Sequence, residues 1–341
     1  MVLKNIPSIL RLQADNFTHN AWGGNWLPGF KKLAKGKLPV GESWEFSGHP
    51  GHPSHLKLFT GADIDLPSLI NSYPKDILGE NVLRKFGKRA PFLLKFIDAR
   101  KDLSLQVHPS DAYAKKYERD SGKAESWVIL STGQKKGEGF LYLGFNPQFA
   151  RRYGSREELK MAFDEALKKG KAAGILPFLN KIRVRPGEAY DLKPGTIHAI
   201  GRGIRLFEIQ QTSDITYRVW DWNRKPKRPL HEKKAADVIE FIPQKPDAFR
   251  FKKRHDTLLV NKEAGFAVDQ ILISRKDKVV SHANNNRFSV LTVLEGEIIV
   301  RVKEGLRVTT GCSVLIPAFV KRYELKSETE KAVVLKSYVP G

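Results

Sequence analysis

The sequence predicts a mostly β protein, built as two jelly-roll β-barrel domains with a small helical insert. Three observations predict it. Most apolar runs are of strand length and are separated by Gly and Pro. Few segments show helical periodicity. One strand–turn–strand pattern occurs twice.

The strand-length runs fall at 91–97, 104–108, 126–130, 140–145, 182–184, 205–210 and 216–220. The clearest helix is expected over 155–169, where Ser155 and Glu158 form a capping box and Leu159, Phe163 and Leu167 recur every four residues. Ser110 is a candidate cap for a short helix running to about Arg119. Further helices are expected at 67–73, with Pro67 in the first turn, at 77–86 and at 231–241. The repeat pairs VRPG (184–187) and PGTIHA (194–199) with VKEG (302–305) and GCSVLIPA (311–318). Just before the second copy, two apolar strands in 289–300 flank a tight turn at Glu295–Gly296. The second copy has no histidine where the first has His198. These features predict a catalytic domain over 1–243, with its insert near 155–170, and a degenerate C-terminal domain over 244–341. The boundary is placed at the linker-like FIPQKPD stretch.

The chain has 341 residues, 41% hydrophobic and 28% charged, an ordinary globular balance. A single cysteine, Cys312, excludes an intrachain disulfide framework and a cysteine zinc knuckle. No apolar run reaches the ~18 residues of a membrane span, and no signal peptide is recognised, so a soluble cytoplasmic protein is expected. The net charge of +22 raises nucleic acid as a partner. Basic and acidic residues are interleaved, however, and no DNA-binding motif accompanies the densest run, Arg224 to Arg228. The expectation is no nucleic-acid partner and no membrane partner. A positive field suits small anionic substrates, although solubility alone would also account for it.

Three places carry candidate chemistry: Gln106-Val107-His108-Pro109, Lys123-Ala124-Glu125 and Gly195-Thr196-Ile197-His198. Residues two apart on a strand share a face, so Gln106 projects with His108 and Lys123 with Glu125. Two imidazoles, a carboxylate and an amide oxygen make a plausible site for a metal such as zinc. A lone strand histidine is more often structural than a ligand, so spacing alone leaves both readings open. His49, His52 and His55 form a second group in a Pro/Gly-rich segment, read as a solvated loop at the mouth of the site. Tyr217, Trp220 and Trp222 are read as pocket or core.

The stretches PFLLKFIDARKDLSLQVHPSDAYA (91–114), GKAESW (122–127) and PGTIHAIGRGIRLFEIQQTSDITYRVWDWNR (194–224) resemble the signatures of type I mannose-6-phosphate isomerases, in the right order. WGGNWL (22–27) and GESWEFSGHP (41–50) agree. The resemblance covers most of residues 15–240. It implies two cupin barrels, of which only the first keeps metal chemistry, and one Zn2+ per chain. It implies Gln106, His108, Glu125 and His198 as zinc ligands, Lys123 and Arg218 as catalytic residues, and Lys95 and Ser104 as substrate-binding positions. Many members have Pro or Thr at the position of Ala124, whose side chain should face away from the metal. The implied reaction interconverts mannose 6-phosphate and fructose 6-phosphate through a cis-enediol, in a monomer or homodimer. Lys123 is expected to move the proton, or else only to orient substrate or bind its phosphate. Arg218 is expected to stabilise the enediolate or clamp substrate, or else to pair with Asp221 or Glu208. The competing readings are a non-catalytic sugar-phosphate-binding cupin, a glucose-6-phosphate isomerase and a sugar epimerase.

Overall fold

The apolar run at 91–97 becomes strand Phe92–Ala99, buried along its whole length. An apolar strand with no polar alternation has both faces covered, and this one is central to its sheet. The computed structural model describes residues 6–34, 36–58, 60–133, 135, 138–277 and 279–341. Contacts divide it into two compact units. One holds residues 1–19, 25–96 and 252–341; the other holds 20–24 and 97–251.

The unit of residues 97–251 is a two-sheet sandwich. One sheet has the antiparallel order Leu179–Arg183, Phe140–Phe145, His198–Ile200, Leu105–Val107, Tyr217–Trp220. The other runs Arg250–Phe251, Ala189–Leu192, Glu125–Ser131, Ile204–Gln211, then Phe92–Ala99, within which the unit boundary falls. Trp127, Ile129, Leu141, Leu143, Ile200 and Leu206 pack between the sheets. The expected jelly-roll is thus built here as two facing sheets. A second cluster, with Leu105, Val107, Tyr217, Val219 and Trp220, packs on the outer face of the five-stranded sheet with the helical insert. Helix Arg156–Lys169 forms as its pattern requires. Ser155 accepts from the Glu158 N–H, and Gly170 ends the helix in the left-handed conformation. Leu159 and Phe163 are its buried residues.

The other unit contains a six-stranded sheet ordered Leu10–Arg11, Ser313–Ile316, Ser289–Glu295, Lys331–Tyr338, Phe266–Ser274, Thr257–Asn261. A four-stranded sheet orders Val280–Ala283, Arg322–Ser327, Glu297–Arg301, Gly305–Thr309. The strands on either side of Gly296 belong to different sheets, so this turn passes the chain from one layer to the other. N-terminal residues join this unit for visible reasons. Leu10 pairs with Leu315. Phe46, Phe92 and Phe288 stack at 5.4–5.5 Å between ring centres. The Lys31–Glu45 ion pair, buried at both ends, is joined by Ser313. The run expected as one helix over 77–86 is two, Pro74–Leu78 and Glu80–Phe86. Gly79 breaks it at φ 86°, where a Cβ would lie 2.1 Å from the Asn286 carbonyl oxygen.

Candidate metal centre

Gln106 sits in a row across the five-stranded sheet, directly opposite His198 on one neighbouring strand and Arg218 on the other. Alternation sends Leu105 and Val107 to the outer core, leaving Gln106 on the inner face. Glu125 comes from the opposite sheet, and Trp127 and Ile129 on its strand belong to the inner core. His108 and Lys123 lie just beyond strand ends. Backbone bonds hold their loops together: the Lys123 N–H donates to the Pro109 carbonyl at 3.0 Å, and the Gly195 N–H to the His108 carbonyl at 2.9 Å. Gly122 allows this approach, since a Cβ there would lie 2.4 Å from the Asp111 nitrogen.

Four functional groups converge. His108 Nε2 is 3.3 Å from Glu125 Oε2, and His198 Nε2 is 3.1 Å from Glu125 Oε1. Lys123 Nζ is 3.1 Å from Glu125 Oε2 and 3.2 Å from His108 Nε2. All four side chains are buried. Each imidazole donates its other nitrogen, Nδ1, to a backbone carbonyl at 2.8 Å: His108 to Ile215 and His198 to Thr196. That fixes the tautomer and leaves both Nε2 lone pairs facing the carboxylate, as in histidines whose other nitrogen is tied to a carbonyl while the free one binds a metal. Apart from the Lys123 ammonium, no donor reaches either buried Glu125 oxygen. Two imidazole lone pairs and a carboxylate with that single donor form a donor set that fits a cation. His108, Glu125 and His198 are the group of His, Cys, Asp and Glu able to hold a metal among the described residues.

Gln106 is poised beside this group. Its Nε2 lies 3.2 Å from His198 Nε2, and its Oε1 accepts from Ser104 at 3.2 Å. Ligation through oxygen requires the amide turned over, with Ser104 then accepting. Burial and the nearby Lys123 charge push His108 down to about 3, so the ring is neutral. Burial disfavours the charged forms of Lys123 and Glu125, but their mutual attraction outweighs it. Lys123 is held above the ordinary lysine range, helped by Glu208 and Asp214, and Glu125 well below the carboxylate range by the Lys123 ammonium.

Arg218 is half-buried, and its NH1 donates to the Pro229 carbonyl at 2.7 Å. Asp221, weighed as its structural partner, instead binds Arg228 through two bonds of 2.6 and 2.7 Å. Glu208 accepts from Trp127 Nε1 at 2.8 Å. Lys95 belongs to the other unit, where its Nζ is 3.6 Å from Glu42 and 4.1 Å from the Trp44 ring centre. His49 and His52 pack edge-on against Trp44, and His55 is exposed on strand His55–Lys57. Tyr217, Trp220 and Trp222 pack with the outer hydrophobic cluster, the core reading. Sequence reasoning missed the Ile215 and Thr196 carbonyls, because any residue supplies such a group.

Known proteins match this arrangement. Residues 9–134 match the model of the phosphomannose isomerase type I catalytic domain, and residues 256–336 that of the mannose-6-phosphate isomerase cupin domain. Mannose-6-phosphate isomerase ManA of Bacillus subtilis is 31% identical over 296 residues, covering 82% of this chain and 84% of that one. The chain belongs to the type I mannose-6-phosphate isomerase family. Bacillus subtilis GmuF is 36% identical over 228 residues, 65% of this chain and 66% of that one. The Streptococcus mutans mannose-6-phosphate isomerase is 34% identical over 226 residues, 64% of each chain. The chain therefore spans just under two thirds of the length of these two relatives. The crystal structure of the Bacillus subtilis mannose 6-phosphate isomerase superposes with a TM-score of 0.78 at 25% identity, covering 98% of this chain and 100% of that one.

Proposed function

We propose that this chain is a metal-dependent aldose–ketose isomerase that interconverts mannose 6-phosphate and fructose 6-phosphate through a cis-enediol, with one zinc ion per chain. The observation that carries the reading is the buried Glu125 carboxylate, met by no donor but the Lys123 ammonium and faced by two imidazole nitrogens of fixed tautomer. His108, Glu125 and His198, with Gln106 through its amide oxygen, would hold the ion. When bound, zinc supplies Lewis acidity at the C1 and C2 oxygens of the substrate.

Isomerisation moves one proton between C2 and C1. Lys123 is the group placed to carry it. Glu125 is the first charge that keeps its ammonium protonated against burial. A cation held by that carboxylate would weaken this support and make the Lys123 amine more accessible as a base. Arg218, directly opposite Gln106, holds the developing enediolate charge or clamps the substrate. Ser104 orients Gln106 through its hydroxyl. Lys95 is assigned to substrate binding from the family resemblance. No helix is long and apolar enough to cross a membrane among the described residues. The proposed substrate is a dissolved sugar phosphate, and the proposed state of the protein a cytoplasmic monomer or homodimer.

Conversion of mannose 6-phosphate by purified protein, followed before and after chelation and again after zinc is restored, tests the reading. Activity that disappears and returns supports it. A folded, zinc-loaded protein that leaves mannose 6-phosphate unchanged refutes it.

A further inference from the structure

The C-terminal sandwich lacks the ligand set of the catalytic one, yet one end of its inner face is polar. Residues two apart share a strand face. Ala332 and Val334 lie in the apolar core, so Lys336 and Tyr338 continue their face. By the same parity Ile273 and Ile271 lead to Asp269, and Leu325 leads to Tyr323. Val293 and Leu291 lead to Ser289, and Val280 leads to His282. Cross-strand register sets these side by side: Asp269 opposite Lys336, Ser289 opposite Tyr338, His282 opposite Tyr323.

The cluster is built and only partly satisfied. His282 stacks on Tyr323 at 5.5 Å between ring centres. The Lys336 ammonium stands 5.8 Å from the Tyr323 ring centre and 5.4 Å from that of Tyr338. It makes no ion pair among the described residues. Asp269 is the carboxylate of the group, and its Oδ1 already accepts from Thr257 at 2.8 Å and Tyr338 at 3.2 Å. The Tyr323 hydroxyl is buried in a residue 1% exposed, beside the Ser289 hydroxyl, which itself donates to Asn284 at 2.7 Å. His282 Nε2 is buried and unpartnered. A buried polar group without a partner is costly, and here it shares one face with an unpaired ammonium.

We propose that this polar end of the C-terminal sandwich binds a small oxyanion, a phosphate or carboxylate group, between Lys336, Tyr323 and His282. Hydroxyl, ammonium and imidazole N–H are the donors that such oxygens take. The positive surroundings agree. Arg287, whose guanidinium lies 4.6 Å from the Tyr338 ring centre, borders a cavity of about 750 Å³ that Arg84, Lys85 and Lys262 also line. A field of this sign raises the local concentration of small anions. The inference does not depend on the isomerase reading, because it uses none of the residues of the metal centre.

Calorimetric titration of the full, zinc-loaded chain with inorganic phosphate, and separately with citrate, tests the proposal. Binding of at least one of these anions is expected. Its Kd should rise at least about tenfold in Lys336→Met and severalfold in Tyr323→Phe, the loss of a charge-assisted and a neutral hydrogen bond respectively. Lys123→Met, in the other unit, should leave that event unchanged. Tyr323→Phe removes a single oxygen atom and keeps the test readable if Lys336→Met lowers the unfolding temperature. Absence of binding by both anions, or binding that Lys336→Met and Tyr323→Phe leave unchanged, overturns the proposal.

Discussion

Each unit buries a lysine beside a glutamate, and the two pairs are finished differently. Lys31 Nζ lies 2.6 Å from Glu45 Oε1, and Glu45 also accepts from Ser43 at 2.6 Å and Ser313 at 2.9 Å. Lys123 Nζ lies 3.1 Å from Glu125 Oε2, and no hydroxyl or other donor joins it at either Glu125 oxygen. In place of hydroxyl donors, Glu125 faces two imidazole lone pairs. A buried carboxylate filled by donors ties segments together. Here it joins residues distant in sequence, Lys31, Glu45 and Ser313. A buried carboxylate left open among other acceptors is a place for a cation. Burial and charge type are the same in both pairs; saturation separates structure from chemistry.

The comparison breaks most visibly at Glu125. Glu125→Ala should take metal content and isomerase activity to background, a larger effect than the ~10–100-fold affinity loss typical of an outer-shell change. Metal analysis of the purified variant checks the first and a coupled assay the second. Lys123→Met should lower turnover by about 10²–10⁴-fold while the metal stays bound, the range for loss of a general acid–base group. Substantial residual turnover would leave Lys123 an orienting or phosphate-binding role.

Glu45→Ala is the converse. It strands the Lys31 ammonium and should cost about 3–5 kcal/mol in denaturant unfolding, with metal stoichiometry unchanged. Ser104→Ala sharpens the boundary between ligand and support: it removes the bond that orients Gln106 and should weaken metal affinity about tenfold.

The smallest expected effect concerns acid. His231 Nδ1 accepts the Arg218 N–H at 3.0 Å, and burial, with Arg218 beside it, holds the ring below its usual 6.5. As pH falls from 6.5, the unfolded chain takes up a proton before the folded one, so folding stability declines. His231→Gln should flatten the acid-side fall of the unfolding midpoint.

Part of the candidate centre was legible in the sequence because its side chains lie on or beside strands, where alternation suggests a shared face. Gln106 with His108, and Lys123 with Glu125, follow from that rule. Convergence did not. His198 is distant in sequence from the other ligands, and only strand order places it opposite Gln106. The repeat and the capping of the helix after Ser155 were likewise local signals. The grouping of residues 6–19 and 25–96 with 252–341 was not, because it rests on Leu10 pairing with Leu315 and on the packing of Phe46 and Phe92 against Phe288. Periodicity is blind to contacts of that range. The helix break at Gly79 carried a visible signal, a glycine inside a helical pattern.

The most direct test of the central claim is a titration of metal-free protein with zinc while mannose 6-phosphate turnover is followed. The account predicts no turnover at the start and a rise that saturates at one equivalent per chain. Turnover in the metal-free protein, or a zinc-bound protein that stays inactive, would contradict it.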